Sequence, residues 1–417
     1  SGTTIVWLRD DLRLADNPAL TAAAERGEPV VLVYLLDEVS PGIRPLGAAS
    51  RWWLHHSLAA LSASVGGRLV LRRGAAEQVI PALVAETDAA AVHWNRRYSA
   101  SRDIDARLKA SLRESGIDAQ SHQANLLHEP WTVTTGDGNP YRVFTPFWRT
   151  LKGQWPLPEP LPAPNALPAH GFCGCALEAL QLLPRIDWDQ GLHATFTPGA
   201  ERAREMLDRF VEAALEDYAH GRDRPDKQGT SSLSPHLHFG EISPRQIAQR
   251  LRGATPGQRE LAEPFLRELG WRDFSHHLLF HFPHTSEEPL QASFAEFPWA
   301  EVDPVKLAAW QRGRTGIPIV DAGMRELWLS GYMHNRVRMV TASFLIKNLL
   351  IDWRHGEEWF WDTLVDADLA ARVGRDADVV EAEVVALHGM SPHTFSSVKA
   401  RLLVGCGPAN QGALIWR

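Results

Sequence analysis

The sequence predicts two domains of different class: a Rossmann-like α/β domain at the N-terminus and an all-α domain in the C-terminal half. Three observations predict it. Short β-rich runs alternate with Ala/Leu-rich helical stretches at the start of the chain. A connector with six prolines, WPLPEPLPAPNALPAH from Trp155 to His170, then interrupts all periodicity. After about Thr197 the strand signal disappears and apolar residues recur at helical spacing.

The β-rich runs are Thr4–Leu8, Pro29–Tyr34, Arg68–Arg72 and Ala90–Trp94, with helices expected over Ala19–Arg26 and Ser50–Val65. Such alternation argues a parallel, doubly wound sheet. No G-x-G-x-x-G follows the first run, so this domain does not hold a dinucleotide in the usual way. Proline fixes φ and removes donors, which makes Trp155–His170 a semi-rigid surface connector. The expected organisation is an α/β domain over 1–130, a connector over 131–195 and a helical domain over 196–417. Helical periods cover Ala200–His220, Ser243–Arg252, Arg259–Leu269 and Val305–Gly313. Thr315–Trp353 reads as two more helices joined at Gly331, and Ala377–Leu387 as a short one.

Composition narrows the function classes. The chain has 417 residues, 44% of them apolar, which is ample for burial, and a net charge of −7. Any contact with nucleic acid must therefore use a local basic patch. No apolar run approaches the roughly 20 residues that cross a bilayer, so no membrane segment is expected. Ser1 leads straight into a strand-like run without a signal pattern, and a cytoplasmic protein is expected. Three cysteines, Cys173, Cys175 and Cys406, suit neither a disulfide framework nor a metal cluster, so no metal is expected. Tryptophan is abundant, 16 against 5 tyrosines, which suits core packing, base stacking or electron transfer.

Three groups of residues carry possible chemistry. Gly229–Pro235, GTSSLSP, reads either as a helix cap or as a hydroxyl-rich phosphate cradle. Glu268 and Trp271 lie one helical turn apart, as a capped core pair or as a carboxyl beside a stacking surface. Asn335, Arg338 and Met339 share one face of a helix with Arg336 on its flank, which fits structural ion pairs or a binding wall.

The runs IVWLRDDLRLADNPAL, GTSSLSPHLHFGEISP, EPFLRELGWRDFSHHLLFHFP, TGIPIVDAGMRELWLSGYMHNRVRMVTASFL and LLIDWRHGEEWFWDTLVDADLA resemble the photolyase/cryptochrome family, in its class I cyclobutane-dimer photolyase form, over about residues 4–371. The resemblance implies a light-driven DNA lyase with FAD in the helical domain and a second antenna chromophore, a reduced pterin such as methenyltetrahydrofolate or a deazaflavin, in the α/β domain. Its pocket would lie near Asn95–Asp103, a segment that otherwise reads as a solvated loop. It implies FAD contacts at Tyr218, Thr230, Ser231, Leu233, Ser234, Arg272, Arg338, Asp366 and Asp368. Trp271 would stack on a flipped-out pyrimidine dimer, Glu268 would hydrogen-bond it, and Asn335, Met339, Arg222 and Arg336 would complete the lesion and DNA contacts. Trp299 and Trp353 match the outer members of the family's electron relay. The implied partner is dimer-containing DNA, bound by a monomer.

Two departures stand out. The family's usual W-R-E-F is Trp271-Arg272-Asp273-Phe274 here. After Ala371 the motifs stop: Arg372 occupies the position of a flavin-facing asparagine and Asp376 that of the proximal relay tryptophan. A frameshift or recombination would produce this, as would genuine divergence that rebuilds the pocket wall. A cryptochrome-like photoreceptor and a catalytically impaired remnant are the rival readings.

Overall fold

A computed structural model describes residues 2–370 except 100, 169, 253–255, 287 and 289–296. The expectations for Arg372, Asp376, Ala377–Leu387 and Cys406 lie outside these residues.

Five parallel strands form the sheet: β1 (Thr3–Leu8), β2 (Val30–Leu36), β3 (Val70–Arg73), β4 (Ala89–Asn95) and β5 (Asp118–His122), in the order β3-β2-β1-β4-β5. β2 is buried at every residue because helices cover both faces. α1 (Pro18–Glu25) and α2 (Ala48–Ser64) supply one layer, and α3 (Ala76–Thr87) and α4 (Ser101–Glu114) the other. β5 has no counterpart in the expected runs. Its sequence, DAQSH, lacks an apolar period, because an edge strand held by β4 needs little burial of its own.

The remaining helices are α5 (Phe144–Lys152), α6 (Gln190–Thr195), α7 (Ala200–Ala213), α8 (Tyr218–Gly221), α9 (Ser234–His238), α10 (Pro244–Arg252), α11 (Pro256–His281), α12 (Pro304–Gln311), α13 (Pro318–Ser330), α14 (Asn335–Ser343) and α15 (Trp353–Thr363). The single helix expected over Ala200–His220 is split into α7 and α8. The bend lets Tyr218 pack edge-on against both Phe210 and Phe265, 5.4 and 5.3 Å away, which a straight helix would not allow. At Gly331 the chain turns with φ +70°, its N–H capping Leu327, so the expected junction between α13 and α14 is present. α14 gives way to a π-helical turn, Phe344–Asn348, before α15.

Buried polar contacts fasten the two layers of the molecule together. Arg13, after β1, donates to the carbonyls of Asp16, Ala124 and Gly240 at 3.0, 3.0 and 2.9 Å. Glu241 accepts from Trp53 Nε1 at 3.1 Å and Ser57 Oγ at 2.8 Å on α2. Gly240, with φ +65°, is required here: a Cβ would sit 1.9 Å from the Asp10 carbonyl oxygen. Among the described residues no helix is long and apolar enough to cross a membrane.

Candidate functional site

One cavity of about 740 Å³ opens between α8, the α9 turn, α11, α14 and the segment after α15. Every FAD-contact and lesion-contact residue that the resemblance implied lines it, whereas Trp299 and Trp353 do not. Gly229 places the hydroxyl loop: its Cα packs so closely on the Gly221 backbone that a Cβ would lie 2.5 Å from the Gly221 carbonyl oxygen. Ser232 takes φ +54°, so the loop curls with Ser231 Oγ accepting from Leu233 N at 3.3 Å. Thr230, Ser231, Ser232 and Ser234 thereby wall one side of the cavity.

The polar end is built on α14. Arg338, 6% exposed, donates from Nε to the Met333 carbonyl at 2.7 Å and from Nη2 to Asp366 Oδ2 at 3.0 Å. Asp366 also accepts from Ser234 Oγ at 2.7 Å. Asp368 Oδ2 accepts from His238 Nδ1 at 3.1 Å. His276 Nδ1 donates to the Arg272 carbonyl at 2.9 Å, and burial pushes its pKa down. Arg272 itself reaches the Asn125 carbonyl at 2.5 Å, so it ties this wall to the α/β side.

The mouth holds the other set. Arg222 Nη2 lies 2.7 Å from Glu268 Oε1, and Arg336 Nε lies 2.6 Å from Asp223 Oδ1. The expected helix face on α14 is thus divided: Arg338 turns inward, while Arg336 and Met339 pair on the outer side, 3.7 Å apart. Trp271 stacks on Phe144 at 3.7 Å between ring centres with an interplanar angle of 10°. Gly270 beside it lets Trp148 approach, since a Cβ would meet that ring at 2.3 Å. Asp273 faces away from the cavity and accepts from the N–H groups of Leu127 and His128 at 3.1 and 3.0 Å. Burial pushes its pKa up to about 7.

Trp299 and Trp353 stand apart from the cavity wall. Trp299 packs on Phe297, 4.5 Å between ring centres, and Trp353 lies under the Arg354 guanidinium at 4.9 Å. The segment Asn95–Asp103 differs from the solvated loop expected of it. Asn95 and Tyr98 are buried, and Arg97 pairs with Asp105 at 3.0 Å, because the strand end abuts α4 and α11. His238, His276, Tyr332 and Asp223 line the cavity without having been singled out. His238 lies four residues after Ser234 on one helical face, the only signal that could have found it.

A sheet domain clasped to a helical domain, with hydroxyls, a buried Arg–Asp pair and stacked aromatics around one large cavity, defines a class of protein that holds a nucleotide cofactor beside a second, stacking ligand. The family model described as DNA photolyase matches residues 4–165, and that for the FAD binding domain of DNA photolyase matches residues 265–396. The second match runs past Ala371, and the hydroxyl loop lies outside both. The deoxyribodipyrimidine photo-lyase of Agrobacterium fabrum is 50% identical over 378 residues, 88% of this chain and 78% of that protein. Cryptochrome-1 of Arabidopsis thaliana is 38% identical over 88% of this chain, which spans only 56% of that protein's length. The crystal structure of a bacterial class III photolyase from Agrobacterium tumefaciens matches with a TM-score of 0.85 and 47% identity, covering 90% of this chain and 80% of that one. The chain belongs to the photolyase/cryptochrome family, and FAD is the cofactor of its helical domain.

Proposed function

We propose that the chain repairs cyclobutane pyrimidine dimers in DNA, driven by blue light, as a deoxyribodipyrimidine photo-lyase. The observation that carries this is the convergence of residues from five separate segments on one cavity in a chain 50% identical to a photo-lyase. The residues present fit FAD: hydroxyls suit its phosphates, and the buried Arg338 gives a cation at the polar end. When bound in reduced form, FAD would supply the light absorption and the electron for splitting the dimer.

The chain's own residues do the rest. Tyr218, Thr230, Ser231, Leu233 and Ser234 hold the diphosphate and ribityl part, while Arg272, Arg338, Asp366 and Asp368 hold the ring system. Trp271, backed by Phe144, presents a fixed aromatic face on which an extruded base stacks. Arg222 and Arg336 already sit at the mouth, each neutralised by an acid. DNA phosphates draw Arg222 away from Glu268. Freed from Arg222, the Glu268 carboxyl is placed to hydrogen-bond a lesion carbonyl, where negative charge develops. Asn335 and Met339 complete that wall. Trp299 and Trp353 are proposed as outer members of an electron relay. A pterin or deazaflavin antenna, a monomeric state and a cytoplasmic location belong to the same proposal.

Similarity to a plant cryptochrome over 88% of the chain favours a second reading, a flavin photoreceptor without repair activity. The test is to release and quantify flavin from the purified protein and to assay Glu268→Ala and Glu268→Gln on a dimer-containing oligonucleotide. Near-stoichiometric FAD, with repair lost in the alanine variant and largely kept in the glutamine variant, supports the lyase. Bound FAD with no repair by any form supports the photoreceptor, and a colourless protein contradicts both.

A further inference from the structure

The α9 turn holds two of the cavity's acids, Asp366 and Asp368, from one face. Ser234 at its start bonds Asp366 at 2.7 Å, and His238, four residues on, bonds Asp368 at 3.1 Å. The two carboxylates are matched differently. Asp366 faces Arg338, a permanent cation, whereas Asp368 faces an imidazole that gains and loses a proton.

We propose that His238 is a positioning residue for the flavin: it holds Asp368 at the cofactor and, by taking up one proton, sets the charge of that wall as the flavin is reduced. The inference rests on the FAD reading above. The charges of three acids act on the His238 imidazole: Asp368 and Asp366 after α15, and Asp10 after β1. From α11, Arg272 and His276 line the same wall. Burial disfavours the imidazolium, but the bond to Asp368 and the charges of Asp368, Asp10 and Asp366 outweigh it, and the pKa moves up. His276 is pushed the other way by burial, so of the two imidazoles on this wall it is His238 whose proton the surrounding acids favour. Reduction of the flavin to its anionic form takes two electrons and one proton. The added negative charge raises the affinity of His238 for a proton, so between its two pKa values a second proton enters the protein with the electron pair.

The experiment is an anaerobic dithionite titration of the FAD-containing protein against a reference dye, from pH 6 to pH 9, with His238→Gln and His238→Lys alongside. Wild type is expected to show a steeper segment of potential against pH, where proton uptake rises from one towards two per electron pair. In His238→Gln that segment disappears and the potential below it becomes more negative. In His238→Lys the segment also disappears, but the potential stays near the low-pH wild-type value, so this variant decides if the glutamine form loses FAD. A segment that persists unchanged in either FAD-bound variant, or is absent from wild type, overturns the inference while leaving the flavin reading intact. Wild-type protein that retains no FAD removes both.

Discussion

Arg338 is the side chain on which the polar end of the cavity depends. With Arg338 and Asp366 side chains 7% and 1% exposed, truncation leaves a buried carboxylate without its guanidinium. Arg338→Ala is expected to cost about 3 kcal/mol or more in urea unfolding and to release FAD. Trp271→Ala acts differently, because it removes a stacking face and no charge. It should weaken binding of dimer-containing DNA by roughly 10-fold or more with FAD content unchanged, read by gel shift and by absorbance. Flavin loss in that variant would sink the assignment of Trp271 to the lesion. Candidate residues were legible because GTSSLSP, ELGW and NRVRM are each short and local. Their partners were not. Arg222–Glu268 spans 46 positions and His238–Asp368 spans 130, so neither pair leaves a periodic trace.

α11 is the element that brings the proposed cofactor and lesion walls together, carrying Glu268, Trp271, Arg272 and His276. The sequence suggested only Arg259–Leu269 as helix, since Pro264 and the polar turns around it blur the period over the observed 26 residues. Asp273 anchors α11 to the backbone at Leu127 and His128. With its pKa raised from 3.8 to about 7, the folded state binds the extra proton between those values, so this group's contribution to stability falls as pH rises through that window. Asp273→Asn mimics the protonated form. Its stability relative to wild type should therefore improve from pH 4 to pH 7, measured by urea unfolding at each pH. Gly270→Ala is expected to cost about 1–3 kcal/mol, because the new methyl must displace the Trp148 ring behind Trp271.

At the scale of the molecule, the class of each half was readable because β-branched runs and helical periods differ. β5 and the domain contacts were not, since both rest on polar residues whose partners are distant in sequence. Arg13 alone satisfies three buried carbonyls, those of Asp16 and Ala124 on its own side and that of Gly240 across the junction. Arg13→Ala should cost several kcal/mol, at about 1–3 kcal/mol for each buried acceptor left unpaired, and broaden the calorimetric transition as the halves lose coupling. The junction matters because Arg272 reaches from the cavity wall to Asn125 across it. The most direct test of the account is the loss of cyclobutane dimers from a defined oligonucleotide, incubated with the FAD-containing protein in blue light and in darkness. Dimer loss under light, with none in the dark, is the expected result. Equal dimer content in both, with FAD bound and reduced, would contradict a light-driven lyase.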